Sequence, residues 1–389
     1  MLDQKLIDRE YGFLGDEIFL NVSQVVIPPV RVQKAYGSFM DDYVRSMGEG
    51  IVPKAWEIVA GCRKKVATLI GADSPDEIGF VKNTCEGVSI LADGLDMAAG
   101  ENVVIADQEH QSVLFPWINA HQRKGIELKV VKSIRDGEVD ADAMIKAIDA
   151  KTRVLIVSAV QFSTGFLADL EKLGQACREK GVIFAVDGIQ ALGRLEIDVR
   201  KMHIDYLVAG TNKGLLGTLG AGFVYCKQSL ISHITPPYAG YQSTVSHVEP
   251  PSITTNFEMV EWYPNARRFE SGNLSYNCIY AIDQGISLVL ELGIEHIADH
   301  VRHLEKYLRA QLADLPLHVV QAQDSKNWGG VICIYFPKHT EKESAQILRN
   351  YKIHGTIRAG YIRLGLDFYN TQEQMDVVSK ALHEIARLK

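Results

Sequence analysis

"FAVDGIQALG" (residues 184–193) and "LVAGTNKGLLGTLGAG" (residues 207–222) are the two stretches whose reading decides the fold. The first is an apolar run that ends in an acid, Asp187; the second is another such run, followed by Asn212 and a lone lysine, Lys213, in a bed of glycines. Short continuous apolar runs of this kind are strands buried on both faces, which places Asp187 at the carboxyl tip of one and Lys213 just past another. A carboxylate is costly to bury unless it meets a cation, so Asp187 reads as a helix N-cap, an ion-pair partner or a functional acid. Lys213 alone reads as a solvated loop lysine. Beside a fixed acid at a strand end it becomes a desolvated amine with a lowered pKa, and such an amine is a nucleophile toward carbonyls. The glycines satisfy neither common phosphate motif. "GTLGAG" (217–222) reverses the dinucleotide order and leads into a strand, and Lys213 is followed by Gly214 where a P-loop needs Ser or Thr.

Around these two stretches the text alternates. "NVVIAD" (102–107), "RVLIVSAV" (153–160), "VIFAVD" (182–187) and "DYLVAG" (205–210) are β-rich runs. "AWEIVAGCRKKVATLIG" (55–71) and "LADLEKLGQACREKG" (167–181) carry helical periods, the latter closed by a glycine after a basic last turn. The alternation predicts right-handed βαβ units and an open α/β sheet, with ligands beyond the carboxyl ends of its strands. After about residue 260 the pattern shifts. "YNCIYAIDQGISLVLELGIEHIADHVRHLEKYLRAQLADL" (276–315) reads as one long helix or two in succession, "GGVICIYF" (329–336) as a strand and "EKESAQILRNY" as a helix. The tail helix begins at Thr371, with Gln374 at capping-box spacing.

The chain has 389 residues, 47% of them hydrophobic and 23% charged, which suits a large core. The expected division is a large α/β domain over 15–265 and a smaller α+β domain built from 1–14 and 266–389. A formal net charge of −7 argues against a nucleic-acid partner. No apolar stretch reaches the ~18 residues a membrane span needs, and the charged start "MLDQKLIDREYGF" has no signal-peptide core. Six cysteines, at 62, 85, 177, 226, 278 and 333, form no CxxC pair and suit reduced thiols in a cytoplasmic protein.

The run "VDGIQALGRLEIDVRKMHIDYLVAGTNKGLLGTLGAGFVYC" (186–226) resembles the signature of the class V aminotransferases, the pyridoxal-phosphate group that includes cysteine desulfurases, selenocysteine lyases and isopenicillin N epimerase-like proteins. The similarity extends from "IFLNVSQVVIPP" (18–29) to "IRLGLDFYNTQEQMD" (362–376) with the motifs in the same order. The resemblance implies the fold type I architecture: a large, mostly parallel seven-stranded sheet with helices on both faces, and a small α+β carboxy-terminal domain. It also implies pyridoxal 5'-phosphate as cofactor, an amino acid as substrate and a homodimer with a shared active site.

By the same resemblance, Lys213 forms the internal Schiff base, Asp187 keeps the pyridine nitrogen protonated, and Gln190 hydrogen-bonds the ring's phenolic oxygen. His110, in "DQEHQSVLFPW" (107–117), takes the place of the histidine that stacks on the ring. Thr84 and Cys85, in "VKNTCEGVSIL" (81–91), fall at a helix start that receives the phosphate. Cys85 departs from the Thr or Ala more common in relatives. Asn212 stands where many relatives have histidine, and Asn273 stands where many have the threonine that reaches the partner subunit's phosphate. Arg363 falls on the arginine that grips the substrate's α-carboxylate, work that suits a planar guanidinium. Arg358 reads either as a second anion contact or as a structural residue.

Cysteine desulfurases carry an acceptor cysteine on a loop before that arginine. Here "NYKIHGTIRAGYIRLG" (350–365) is short and contains no cysteine. The expected chemistry is therefore β-elimination at a C–S bond without a persulfide-carrying cysteine, with transamination or epimerisation as alternatives. Ser23 and Gln24, in "NVSQVV" (21–26), read as contacts to a polar substrate side chain or as a surface turn. His296, His300 and His303 share one helical face, which keeps a metal-dependent hydrolase as a distant alternative. With no glutamate after the first of them there is no HExxH, and the expectation is a solvated face and no metal. A non-catalytic member of the fold is a third reading, weakened by Lys213, Asp187 and His110 being present together.

Overall fold

Each of the buried apolar runs becomes a strand of one seven-stranded sheet. In the computed structural model, which describes residues 2–245, 260–320 and 322–388, these strands are β1 (Ile78–Val81), β2 (Asn102–Ala106), β3 (Glu127–Val131), β4 (Thr152–Ser158), β5 (Ile183–Asp187), β6 (Tyr206–Gly210) and β7 (Gly222–Cys226). The spatial order is β1-β7-β6-β5-β4-β2-β3. Strands β2 to β6 run parallel, while β7 runs antiparallel to both of its neighbours. Residues 246–259 fall within the expected large domain and lie outside the described residues.

Alternation along the strands fills two cores. On β5 and β6, Phe184, Val186, Leu207 and Ala209 join one hydrophobic cluster, and Ala185, Tyr206 and Val208 join the other. Both faces are covered, which is why the runs read as continuous rather than alternating in polarity. Helices Thr84–Gly94, Gln111–Lys124, Ala141–Ala147 and Leu170–Lys180 connect the parallel strands, the last capped by Asp169 and closed by Gly181 with φ +66°. No helix among the described residues is long and apolar enough to cross a membrane.

The second sheet is small: β8 (His318–Val320), β9 (Val331–Tyr335), β10 (Thr356–Arg358) and β11 (Tyr361–Gly365), in the order β10-β11-β9-β8. The 276–315 pattern resolves into two helices, Tyr276–Leu292 and Ile294–Gln311, broken at Gly293 (φ +80°). The Thr371–Gln374 capping box forms as its spacing predicts. Near the amino end, Ile18–Phe19 pairs in parallel with Ile353–His354, and the Val26 N–H donates to the Asn212 carbonyl. Residues 21–26 are thereby laid between the small sheet and the Lys213 loop.

Parallel strands that end on one side bring their tips together. Ser158, Asp187 and Val208 are neighbours across β4, β5 and β6. Past the tips, the turn after β5 packs against the turn after β6 so closely that only glycine fits. Gly193 has φ +84°, and a Cβ there would lie 2.0 Å from the Gly214 carbonyl oxygen. Gly193→Ala combines a left-handed backbone, which costs about 1–2 kcal/mol, with a backbone clash. Denaturant unfolding is expected to show at least that loss of stability, together with weaker retention of any ligand held by the 210–216 loop; an unchanged midpoint would show that the two turns can separate freely.

Candidate active site

Lys213 follows β6 by three residues. Its loop is fixed by the Val26–Asn212 bond, by the Leu216 N–H donating to the Lys213 carbonyl, and by the Gly217 N–H donating to the Thr211 carbonyl. Leu216 is buried at φ +62°, a left-handed turn that folds the chain back under the lysine. The amine is pushed down to about 8, first by burial and then by the nearby Arg363 and Arg194 charges, with Asp187 pulling it back up. Asp187 is only 3% exposed. Burial raises its carboxyl to about 6 against the opposing pull of the Ile189 N–H, 3.0 Å from Oδ1, and of the Lys213 charge. The acid at one strand tip and the amine beyond the next are thus brought within electrostatic reach, as the sequence predicts.

Lys213 opens into a cleft with about 910 Å³ of empty volume whose lining includes Ser23, Gln24, His110, Gln190, Arg358 and Arg363. Phe162 and Thr356 line it too, and no sequence pattern pointed to either. Gln190 donates to the Ser23 carbonyl at 2.9 Å while its Oε1 stays buried and unpaired. His110 caps helix Gln111–Lys124: its Nδ1 accepts the Ser112 N–H at 3.1 Å, which leaves the proton of the neutral ring on Nε2. Its ring meets Phe162 edge-on at 4.8 Å, and burial together with the Lys213, Arg363 and Arg358 charges lowers its pKa. Arg363 donates to the Phe162 carbonyl at 2.8 Å and to Thr356 Oγ1 at 3.4 Å, with Nε unpaired.

Thr84, Cys85 and Asn212 form a second cluster. Helix Thr84–Gly94 is capped by Asn83, whose side chain accepts from the Glu86 N–H, so the Thr84 and Cys85 N–H groups are left without intrahelical acceptors. Thr84 Oγ1 accepts the Gly210 N–H at 3.0 Å. A Cβ added at Gly210 would lie 3.2 Å from Asn212 Oδ1 and 3.6 Å from Thr84 Oγ1, so both side chains converge on this glycine at the helix start. Free amides, a hydroxyl and a carboxamide at the positive end of a helix dipole suit a phosphate. The chemistry of these residues fits a group that carries a phosphate and a basic ring nitrogen: the helix start at 84–85 would suit the phosphate, and the buried acid Asp187 would suit the nitrogen.

Asn273 is apart from this cleft. It lines a separate hollow with Lys82 and Glu86, and its Oδ1 accepts from the Tyr241 hydroxyl. Glu109 is the buried site residue that sequence reasoning missed. It accepts from the Ser158 N–H at 2.9 Å, the Ser158 hydroxyl and Gln161 Nε2 at 2.8 Å. Burial raises it to about 7, those donors oppose the rise, and the Asp187 charge adds to it. Its signal was available: an acid directly before His110, just past the tip of β2. On the peripheral helix, His300 bonds the Asn370 carbonyl and His303 the Gln372 side chain. Among the described residues no group of three His, Cys, Asp or Glu side chains is placed to hold a metal.

The geometry can be set beside known proteins. The sequence model of the family described as aminotransferase class-V matches residues 27–378. A probable cysteine desulfurase of Methanothermobacter thermautotrophicus is 27% identical over 402 residues, spanning 98% of this chain and 97% of that one. The apo structure of a cysteine desulfurase from Thermococcus onnurineus NA1 superposes with a TM-score of 0.89 at 23% identity, covering 100% of this chain and 98% of that one. The cystine C–S lyase C-DES, in complex with its product cysteine persulfide, gives a TM-score of 0.85 at 20% identity, covering 97% of this chain and all of that one. With the match covering nearly its whole length, and with Lys213 and the buried Asp187 within electrostatic reach at the strand tips, the chain belongs to the aminotransferase class-V family and is a pyridoxal-phosphate-dependent enzyme.

Proposed function

We propose that the enzyme is a cysteine desulfurase-type C–S lyase that cleaves the bond from Cβ of a sulfur amino acid and releases the β-substituent without storing it on a protein cysteine. The observation that carries this reading is the pairing of a depressed lysine amine over a buried acid with a cationic cleft that lacks an acceptor thiol. Of the six cysteines, only Cys85 is exposed, and it sits at the helix start rather than in the 350–365 segment.

When bound, pyridoxal phosphate supplies an electron sink conjugated to the substrate's Cα. The chain's own residues do the rest. Asp187, when ionised, would keep a pyridine nitrogen protonated. Thr84, Cys85 and Asn212 would hold the phosphate, Gln190 would bond the phenolic oxygen, and His110 would cover the ring. Arg363 receives the α-carboxylate in its guanidinium fork. The Lys213 amine would anchor the cofactor and, when free, would serve as the general base that takes a proton from the substrate's Cα. Its pKa near 8 suits that task, because a base poised near the working pH combines availability with driving force.

The homodimer belongs to this proposal. Helix Val30–Arg45 buries Val32 alone and exposes Tyr36, Met40, Tyr43 and Val44, beside exposed Met47, Val52 and Trp56. Leu274 lines both the hollow of Asn273 and the neighbouring hollow of Trp56 and Tyr276. An apolar face so large and so close to Asn273 suits a second copy, with Asn273 reaching the partner's phosphate. The reading of His110, Lys213 and Arg363 would serve a transaminase or an epimerase as well, and the product decides between them.

Three measurements follow from this reading. Aldehyde capture needs the neutral amine, so covalent uptake of pyridoxal phosphate by the apoprotein, trapped with borohydride, is expected to rise as pH passes about 8 rather than about 10.5, and to vanish in Lys213→Ala. A pH-independent rate would remove the lysine from that role. Incubation with an amino-acid panel should yield keto acid from sulfur amino acids without a second keto acid, while mass spectrometry of the intact protein after turnover finds no added sulfur. A strict need for a keto-acid co-substrate would make the enzyme a transaminase. Light scattering of the double variant Met40→Glu, Tyr43→Glu should give a monomer with weakened cofactor retention; a dimer of undiminished stability would move the interface elsewhere.

A further inference from the structure

The cleft carries more positive charge than one carboxylate needs. Its lining contains the cationic side chains Lys213, Arg358 and Arg363 and no carboxylate. Among the described residues neither arginine has an acidic partner: Arg363 donates to a carbonyl and a hydroxyl, and Arg358 Nε donates to the Tyr361 hydroxyl at 3.0 Å. Unpaired guanidinium groups gathered in one cleft select anions.

The placement of Arg358 is built into the backbone. Strands β10 and β11 form a hairpin in which Arg358 pairs with Tyr361 and Thr356 with Arg363. Its two loop residues, Ala359 and Gly360, have φ of +54° and +83°, the left-handed pair of a type I′ turn. Such a turn fixes the register, so Arg358, Tyr361, Thr356 and Arg363 share one face. Arg358 and Arg363 are then diagonal neighbours with Cα atoms roughly 7–8 Å apart. The Tyr361 phenol holds Arg358 by Nε and leaves both terminal nitrogens available to donate.

We infer that Arg358 is a specificity-determining residue that binds a second anionic group, so the substrate class is α-amino acids whose side chain ends in a carboxylate or sulfinate. This rests on the reading of the site given above, in which Arg363 holds the α-carboxylate. The diagonal spacing sets Arg358 one side-chain length beyond Arg363, where the end of a short acidic side chain falls. A neutral or thiol side chain gives Arg358 nothing to bind and leaves its charge uncompensated.

The test compares amino acids matched in shape but not in charge. Binding of cysteine sulfinate against cysteine, and of aspartate against asparagine, is measured by titrating the change in cofactor absorbance of the loaded enzyme. Wild-type protein should favour the acidic member of at least one pair by tenfold to a hundredfold, the range of a charge-assisted hydrogen bond. The sulfinate pair and the carboxylate pair separate the two sources of the anion. In Arg358→Gln that preference should fall at least tenfold, and Arg358→Lys should restore part of it. Equal binding within both pairs, or a preference that Arg358→Gln leaves intact, would overturn the inference while leaving the cofactor site standing. Lost cofactor uptake in Arg358→Gln would also overturn it, by assigning the arginine to the cofactor. Wild-type protein that takes up no pyridoxal phosphate would instead sink the proposed function itself and this inference with it.

Discussion

A carboxylate and an amine, both withdrawn from water at the ends of adjacent parallel strands, set the terms for everything around them. Desolvation pushes each toward neutrality: Asp187 up to about 6 and Lys213 down to about 8. Their mutual attraction opposes that push, and between those two values both remain charged. Within this window each group lies about one pH unit from changing its proton. A fixed acid and a mobile proton acceptor are the two things a pyridine cofactor needs from a protein. The sheet supplies them because parallel strands end on one side, and register puts Asp187 beside Ser158 and Val208.

Close placement has a structural consequence. The turns after β5 and β6 must nearly touch, and Gly193 against Gly214 is where they do. Behind them lies Glu109, a buried carboxylate with three donors and no cation among its contacts. The Asp187 charge adds to the burial that resists ionisation of Glu109, so a second negative charge beside Asp187 is unfavourable until a cation sits nearby. Lys213 is one such cation, and a protonated ring nitrogen would be another. The Glu109 bonds also tie the chain just before His110 to the end of β4, so the histidine's position and the acid's environment are set by the same three hydrogen bonds.

The parts of this arrangement that were legible in the sequence are those that depend on period and order. Continuous apolar runs gave the parallel core strands, because burial on both faces removes polar alternation; β1 and β3 escaped notice, β1 being only four residues long and β3 edge-placed and polar at Glu127 and Lys129. Asp187 and Lys213 were visible because an acid and a lysine interrupt apolar text at its ends. Glu109 was hidden by its ordinary neighbours, since "DQEHQ" looks like a solvated loop and only the fold buries its third residue. Phe162 and Thr356 contribute through backbone-determined proximity to Arg363, which no local pattern encodes. The 276–315 helix could not be divided on periodicity, because the break falls at one glycine whose φ belongs to three dimensions.

The hairpin that ends in Arg363 connects specificity to chemistry. This chain has a two-residue turn at Ala359–Gly360, the tightest connection an antiparallel pair allows. That turn holds Arg358 in a fixed register with its neighbour Arg363. Rigidity at this position favours recognition over transfer: the entropy of ordering the two arginines is met when the protein folds rather than when substrate binds. The cleft itself is lined by two arginines and a lysine, a rim that suits anions. The fixed charge at Arg358 and its spacing from Arg363 are two consequences of the same short segment.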